Sequence, residues 1–328
     1  MDIAGKNMGL ISVVIPLYNE EDLVGELLRR LQAMSSGLSE HAIELIIVND
    51  GSVDGTGVEL EKTLPGFPRW KLVTLARNFG LQPAYKAGLD QATGDAVIFM
   101  DGDLQDPPEV IPELIGEWSK GNHVVVACRD SRKERGFRRL CFDAFHRLFY
   151  WLTEGFVPQN SGMFGLMDRA VADHLKSLPE CNLFFPALRC WPGFTQSVVT
   201  YNRDERYAGD TKQSFGRLFR YAWDGITSFS DKPLQMITLM GVVISLASFS
   251  IGLVLILFRL LQLFGWFSEL AVMGYTSMIL AILFMGGLQM IALGVIGNYM
   301  SRIYQEVKQR PAYILSHLKG AKQDDDNE

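Results

Sequence analysis

Cysteine is scarce in this chain. Four cysteines, Cys128, Cys141, Cys181 and Cys190, are spread over 328 residues, with no C-x-x-C pair and no metal-ligand spacing. That excludes a cysteine-built metal centre and reads as reduced, mostly packed thiols in a cytosolic compartment. Positive charge is short as well. A formal net charge of −6 and a pI near 5.5 argue against a general nucleic-acid binder, and no nucleic-acid partner is expected. No G-x-G-x-x-G follows the first apolar run and no G-x-x-x-x-G-K-[ST] occurs. A dinucleotide dehydrogenase and a P-loop enzyme are therefore poorly supported. The opening MDIAGKNMGL carries one lysine and no apolar stretch, so no cleaved signal peptide is expected.

Charge is missing altogether from two stretches. None occurs in the 26 positions between Lys232 and Arg259, nor in the 32 between Glu269 and Arg302. Each exceeds the ~20 residues that a bilayer-spanning helix needs. Buried core helices are the alternative, but two such runs in succession favour two transmembrane helices, about 234–258 and 274–297. Arg217, Arg220 and Lys232 precede the first run, and Arg302, Lys308, Arg310 and Lys319 follow the second. The intervening loop offers only Arg259 and Glu269. This asymmetry predicts a multi-pass protein of the inner (plasma) membrane with both termini and the remaining domain on the cytoplasmic side. Exposed faces of the two helices leave room for a homo-oligomer.

The rest of the chain is patterned differently. Apolar runs at 10–16, 43–48, 71–76, 95–100 and 123–128 read as strands buried on both faces, with helical patterns near 20–34, 54–63, 80–91 and 108–119. This alternation predicts an α/β fold with an open, mostly parallel sheet. Ligands bind such sheets at the carboxyl ends of the strands. Strand one ends in Pro16-Leu17-Tyr18-Asn19-Glu20, strand two in Asn49-Asp50-Gly51-Ser52, and strand four in Asp101-Gly102-Asp103-Leu104-Gln105-Asp106. A solvated acidic loop would explain any one carboxylate pair. Three polar clusters on one edge point instead to a site, and oxygen ligands of this kind suit Mg²⁺ or Mn²⁺ completed by substrate phosphates.

From Arg129 to Arg147 there are seven basic residues against three acids, and Phe137, Leu140, Cys141, Ala144, Phe145, Leu148, Phe149 and Leu152 recur at helical spacing. An amphipathic helix at about 135–154 follows, lying either on the sheet or on the membrane surface. A second candidate, Phe215–Phe229, leads into the first apolar run.

The segments SVVIPLYNEE (12–21), IIVNDGSVDGT (46–56), LARNFGLQPAYKAGLDQATGD (75–95) and DGDLQDPPE (101–109) resemble the nucleotide-binding core of glycosyltransferase family 2. Together with the two apolar runs, GRLFRYAWDGITSFSDKPL (216–234) and LGVIGNYMSRIYQEVKQRPAYI (293–314), the chain is similar to the polyprenyl-phosphate glycosyltransferases from about residue 10 to 315. These include dolichol-phosphate mannose synthases and bactoprenol glucosyltransferases. The resemblance implies a GT-A-type nucleotide-sugar-binding domain over 1–212, an interface helix at 213–232, two transmembrane helices within 233–300 and a cytosolic tail at 301–328. It implies a nucleotide-sugar pocket formed by Pro16, Tyr18, Glu20, Val48, Asp50, Asp101, Gly102, Asp103 and Arg129. Metal would be held by Asp101, Asp103 and Gln105. Arg206 and Lys212, from RYAGDTK (206–212), and Arg129 would meet the lipid phosphate, and Asp101, Asp103, Arg206 and Lys212 would carry catalysis. From the residues alone, Arg129 could be a surface side chain, and Arg206 a partner of Asp204 or Glu205.

The implied reaction moves one sugar from a nucleotide donor to a polyprenyl (undecaprenyl) phosphate at the bilayer, with inversion and for cell-surface glycan modification. UDP-glucose is the first choice of donor; GDP-mannose and amino-sugar donors remain open. A non-catalytic, membrane-tethered nucleotide-sugar binding partner is the reading from another class, and the intact Asp101, Asp103, Gln105, Arg206 and Lys212 weigh against it. Two departures stand out. Some relatives carry G-D-F-R-L-M-D-R where residues 162–169 read GMFGLMDR, so Met163 and Gly165 replace an aspartate and an arginine. No Q-x-x-R-W motif occurs, which speaks against chain elongation.

Overall fold

The computed structural model describes residues 9–38, 40–129, 161–180, 183–202, 232–263 and 275–321. Phe229–Lys308 forms one compact unit, and the sequence on both sides of it forms the other.

The larger unit is built on an eight-stranded sheet. Its strands are β1 (Leu10–Leu17), β2 (Ala42–Asn49), β3 (Trp70–Leu75), β4 (Ala96–Phe99), β5 (Val124–Arg129), β6 (Ser161–Asp168), β7 (Gln196–Tyr201) and β8 (Leu315–Gly320), in the order β7-β5-β6-β4-β1-β2-β3-β8. The centre, β4-β1-β2-β3, is parallel. β6 runs antiparallel between β4 and β5, β7 is parallel to β5, and β8 is antiparallel to β3. The five strands expected from the apolar runs are present within one or two residues, and the sheet is mostly parallel at its centre. Helices α1 (Glu21–Ser36), α2 (Thr56–Thr63), α3 (Leu81–Gln91) and α4 (Ile111–Ser119) connect them, and α5 (Arg169–Ser177) and α6 (Phe185–Leu188) follow β6.

The periodicity of α1 shows why it packs as it does. Leu23, Val24, Leu27, Leu31 and Met34 recur at helical spacing and are buried in one cluster with Ile11, Val13 and Ile15 of β1 and Leu45 and Ile47 of β2. Ser12 and Glu44, paired across β1 and β2, point to the opposite face of the sheet. They are satisfied in place: Ser12 Oγ donates to Glu44, Thr93 N and Oγ1 donate to Glu44 at 3.0 and 2.8 Å, and Lys71 pairs with it at 2.8 Å. Such a buried polar knot is tolerable only when fully bonded.

The second unit contains α7 (Lys232–Leu263) and α8 (Tyr275–Val307). Lys232–Val254 and Ala281–Val307 are long and apolar enough to cross a membrane, and neither stretch is buried inside the protein. A core helix would be mostly buried, and these are not. The boundaries differ from expectation at the carboxyl end. Residues 301–328 do not start as a tail: α8 runs on to Val307, and β8 pairs with β3, Val73 facing Leu318. Around it, Ala76 N donates to Ile314 O at 2.9 Å, Tyr313 Oη donates to Asp90 at 2.8 Å, and Lys319 meets Glu61 at 2.6 Å. The amphipathic segment at about 135–154 and the interface helix at 213–232 lie outside the described residues.

Candidate active site

The carboxyl ends of β1, β2 and β4 meet on one edge of the sheet, and hydrogen bonds knit the loops after β1 and β2 together. Asp50 N donates to Leu17 O at 2.9 Å. Asn19 N donates to Ser52 Oγ at 3.0 Å, Val53 N donates to Asn19 Oδ1 at 2.9 Å, and Glu20 N donates to Thr56 Oγ1 at 2.9 Å. Asn19 holds a left-handed backbone, φ 53°, to make this turn. Tyr18 is left 43% exposed beside it.

Pro16 and Val48, paired across β1 and β2, are buried. Their side chains belong to the core, so a contact with a nucleotide would have to come from their backbone. Asp50 is already engaged. Its two oxygens accept from Phe79 N at 2.8 Å and Gly80 N at 3.0 Å, at the start of α3. Burial nevertheless raises its pKa, outweighing those two bonds and the nearby Arg77. It fixes the loop after β3.

The acidic loop is the tightest part of the site. Gly102 has no room for a side chain: a Cβ there would lie 2.2 Å from Leu17 Cδ2 and 3.1 Å from Pro16 O. Leu104 is 1% exposed and holds φ at 59°, a conformation that costs a branched residue free energy and persists only where its surroundings enforce it. Asp103 Oδ1 accepts from Gln105 N at 3.1 Å. Asp101 Oδ1 accepts from Tyr85 Oη at 2.7 Å. The Asp101 carboxyl is pushed up to about 6, by burial first and then by the charges of Asp106 and Asp103.

Arg129 is bound into this cluster from β5. Its Nη2 lies 3.9 Å from Asp106 Oδ1 and its Nε donates to Tyr201 Oη at 3.3 Å, while Tyr201 Oη donates to Asp106. Burial works against its charge, but Tyr201 and the carboxylates outweigh it and hold the guanidinium protonated. Arg129 is thus a braced cation beside the acidic loop, not a loose surface residue. Arg206 and Lys212 lie outside the described residues.

Sequence reasoning missed Tyr85, Tyr201 and Arg189, and gave Asp106 no role. Arg189 accounts for one departure from the family pattern. It is buried, and its guanidinium donates to the carbonyls of Gly162 at 2.7 Å and Met163 at 2.9 Å. A Cβ at Gly165 would lie 2.8 Å from its Nη1. The glycine makes room for an arginine supplied from just after α6. Met163 is buried, with its sulfur 3.5 Å from Gln82 Nε2.

The donor set fits a divalent cation only in part. Among the described residues no group of three His, Cys, Asp or Glu side chains is arranged to hold a metal. A pair of carboxylates open to a ligand is what a hard cation uses when substrate phosphates supply the remaining oxygens. Mutual repulsion of Asp101, Asp103 and Asp106 is the kind of charge such an ion relieves.

Glycosyl transferase family 2 matches the chain over residues 12–173. An uncharacterized glycosyltransferase of Synechocystis is 43% identical over 94% of this chain and 96% of its own length. The chain belongs to glycosyl transferase family 2. This glycosyltransferase is also 40% identical to a prophage bactoprenol glucosyl transferase homolog of Escherichia coli and to the bactoprenol glucosyl transferase of Shigella phage SfV, in each case over 94% of this chain and 99% of the relative. Glucosyl-3-phosphoglycerate synthase of Mycobacterium tuberculosis, crystallised with Mn²⁺, UDP and phosphoglyceric acid, shares its fold. The TM-score is 0.50 at 20% identity, covering 69% of this chain and 78% of that one. The family 2 enzyme therefore has the GT-A-like α/β architecture expected from its sequence.

Proposed function

We propose that this enzyme transfers glucose from UDP-glucose to polyprenyl phosphate, undecaprenyl phosphate in a bacterial membrane, with inversion at the anomeric carbon. The observation that carries the reading is the braced acidic loop at the end of β4, set beside the knitted ends of β1 and β2, in a chain that matches bactoprenol glucosyl transferases over 94% of its length. The bond from the anomeric carbon to the donor diphosphate breaks, a bond from that carbon to the lipid phosphate oxygen forms, and UDP departs with the bonding electrons. The attacking phosphate is already anionic at neutral pH, so no general base is needed. Met163 in place of the family's aspartate accords with that.

In this reading Tyr18, Glu20 and Asp50 receive the nucleoside, aided by the backbone of Pro16 and Val48. Asp101, Asp103 and Gln105, with Gly102 as backbone, would hold Mg²⁺ or Mn²⁺. When bound, such an ion supplies counter-charge to the departing group. Arg129, Arg206 and Lys212 draw the acceptor phosphate toward the donor and offset the repulsion between the two anions.

The membrane arrangement follows from two supports. Basic residues flank the α7–α8 pair on its outer sides. The chain before α7 and the strand β8 after α8 belong to one domain, which supports an even number of crossings. Two crossings, with the catalytic domain in the cytoplasm, meet both conditions. The arginine-rich segment at 135–154 is suited to lie on anionic headgroups.

The test is transfer by membranes containing the enzyme, supplied with polyprenyl phosphate and a panel of labelled nucleotide sugars. UDP-glucose should be consumed with formation of a glucosylated lipid. Preference for GDP-mannose or an amino-sugar donor would correct the donor, and no labelled lipid from any donor would refute the reading.

A further inference from the structure

Tyr85 has no part in the reaction as described so far. It lies on α3, is fully buried, and stacks at a tilt on Phe99, with ring centroids 4.6 Å apart. Phe99 in turn meets Phe185 edge-on at 5.1 Å. A phenylalanine would fill this aromatic cluster equally well. The hydroxyl is the part that needs explaining, because burying it costs free energy unless it finds a partner. Its partner is Asp101 Oδ1 at 2.7 Å, and no other hydrogen bond to this carboxylate is found among the described residues.

A carboxylate attached through one rotatable bond can offer a cation either oxygen or both. A donor held on Oδ1 takes one of that oxygen's lone pairs and turns the carboxylate to present Oδ2 as the less encumbered ligand. The backbone on the other side is equally fixed, since Gly102 is wedged against Leu17 and Pro16 O. We propose that Tyr85 is a positioning residue that restricts Asp101 to single-oxygen ligation of a divalent cation, and so selects small octahedral ions over Ca²⁺. The inference rests on the reading of Asp101 as a cation ligand. Ca²⁺ takes six to eight oxygens at ~2.3–2.6 Å and often uses both oxygens of a carboxylate, whereas Mg²⁺ demands near-octahedral geometry at ~2.0–2.1 Å. Tyr201 supplies the internal comparison. It too donates to a carboxylate of the same loop, but to Asp106 and with Arg129 as its other partner.

The experiment measures Mn²⁺ binding to the full chain in detergent with saturating UDP, following free Mn²⁺ by electron paramagnetic resonance, with Ca²⁺ as competitor. Tyr85→Phe should bind Mn²⁺ about tenfold more weakly or worse, as loss of a group orienting a metal ligand does, and should discriminate less against Ca²⁺. Tyr201→Phe should keep Mn²⁺ affinity within about twofold, the discrimination unchanged. Unchanged affinity and selectivity in Tyr85→Phe would overturn the proposal. Equal weakening in both variants would also overturn it, because the hydroxyls would then only stiffen the loop. If the parent protein binds no Mn²⁺ with UDP present, the ligand reading of Asp101 fails first, and visibly so. An infrared difference spectrum of the parent on adding Mn²⁺, with Asp101→Asn subtracted, needs no folded Tyr85 variant. A wide separation of the two carboxylate stretches reports single-oxygen ligation, and a narrow one would overturn the inference.

Discussion

Replacing Gly102 by alanine adds one methyl group to the middle of the acidic loop, and the structure says where it must go. The new carbon would sit 2.2 Å from Leu17 Cδ2, 3.1 Å from Pro16 O and 3.2 Å from Ile15 Cγ2. Comfortable carbon–carbon contact begins near ~3.5 Å, so more than an ångström has to be found. Leu17 is 2% exposed and Ile15 fully buried, which leaves no empty space on that side. Two responses are available. Leu17 can leave its rotamer, an overpacking cost of about 1–3 kcal/mol, or the loop can lift from the end of β1. A shift of about an ångström at a reacting centre costs roughly 100-fold in turnover. The expectation is that both share the strain: a melting midpoint lowered by roughly 2–12 °C, at ~2–4 °C per kcal/mol for a domain of this size, and a fall in kcat/KM of at least about tenfold. Thermal melts and glucosyl transfer would be run side by side with Gly116→Ala. That residue lies on an exposed face of α4 with nothing near its would-be Cβ, and alanine there should stabilise by about 0.5–1 kcal/mol. A Gly102→Ala protein that melts and turns over like its parent would show that the loop has slack, and the packing argument would be wrong.

Asp103→Ala should lower transfer by at least ~100-fold, comparable with removing a principal electrostatic stabiliser; near-normal turnover, or activity that survives EDTA, counts against a metal at this loop. Arg206→Ala should weaken productive binding of the acceptor by roughly 1.5–3 kcal/mol with little change for the donor, and the reverse pattern would move Arg206 to the donor site. Glu44 offers a pH test of the fold. Burial alone would raise its carboxyl, but Lys71, Ser12 and Thr93 together hold it below the ordinary glutamate range. Its contribution is therefore complete above that range and is lost as pH falls through the lowered value. Glu44→Gln should cost about 1.5–3 kcal/mol near neutrality and flatten the acid side of the stability curve. Denaturant midpoints across the acid range check this, and parallel curves for the two proteins would contradict it.

The parts of this structure that could be read from sequence are those whose signal is local. β1 to β5 are buried on both faces, so each leaves a short apolar run between helical patterns. β8 leaves no such mark: LSHLKG is exposed along its whole length and is a strand only because β3 offers it an edge. β6, with two glycines in SGMFGLMD, is likewise hard to recognise without its partners β4 and β5. The site divides in the same way. Asp101 and Asp103 announce themselves by spacing, whereas Tyr85 reads as one more core residue of α3. Its bond to Asp101 exists because helix and loop meet in space. The Arg129–Asp106–Tyr201 cluster needs β5 and β7 side by side, a pairing across residues that no periodicity reports.

The position of β8 also sets an order on how the protein can be made. β3 emerges early, but the strand that pairs with its outer edge is synthesised only after both long apolar helices. At ~5–20 residues per second, roughly 240 residues separate the two by on the order of ten seconds or more. During that interval β3, with its Leu72, Val73 and Leu75, presents an unpaired edge of the kind that recruits other nascent chains. In the membrane arrangement proposed above, delivery of β8 would then depend on α8 coming back to the side from which α7 departed. In that arrangement a chain whose helices insert incorrectly could not close its own sheet, and correct insertion would be a condition for a finished catalytic domain.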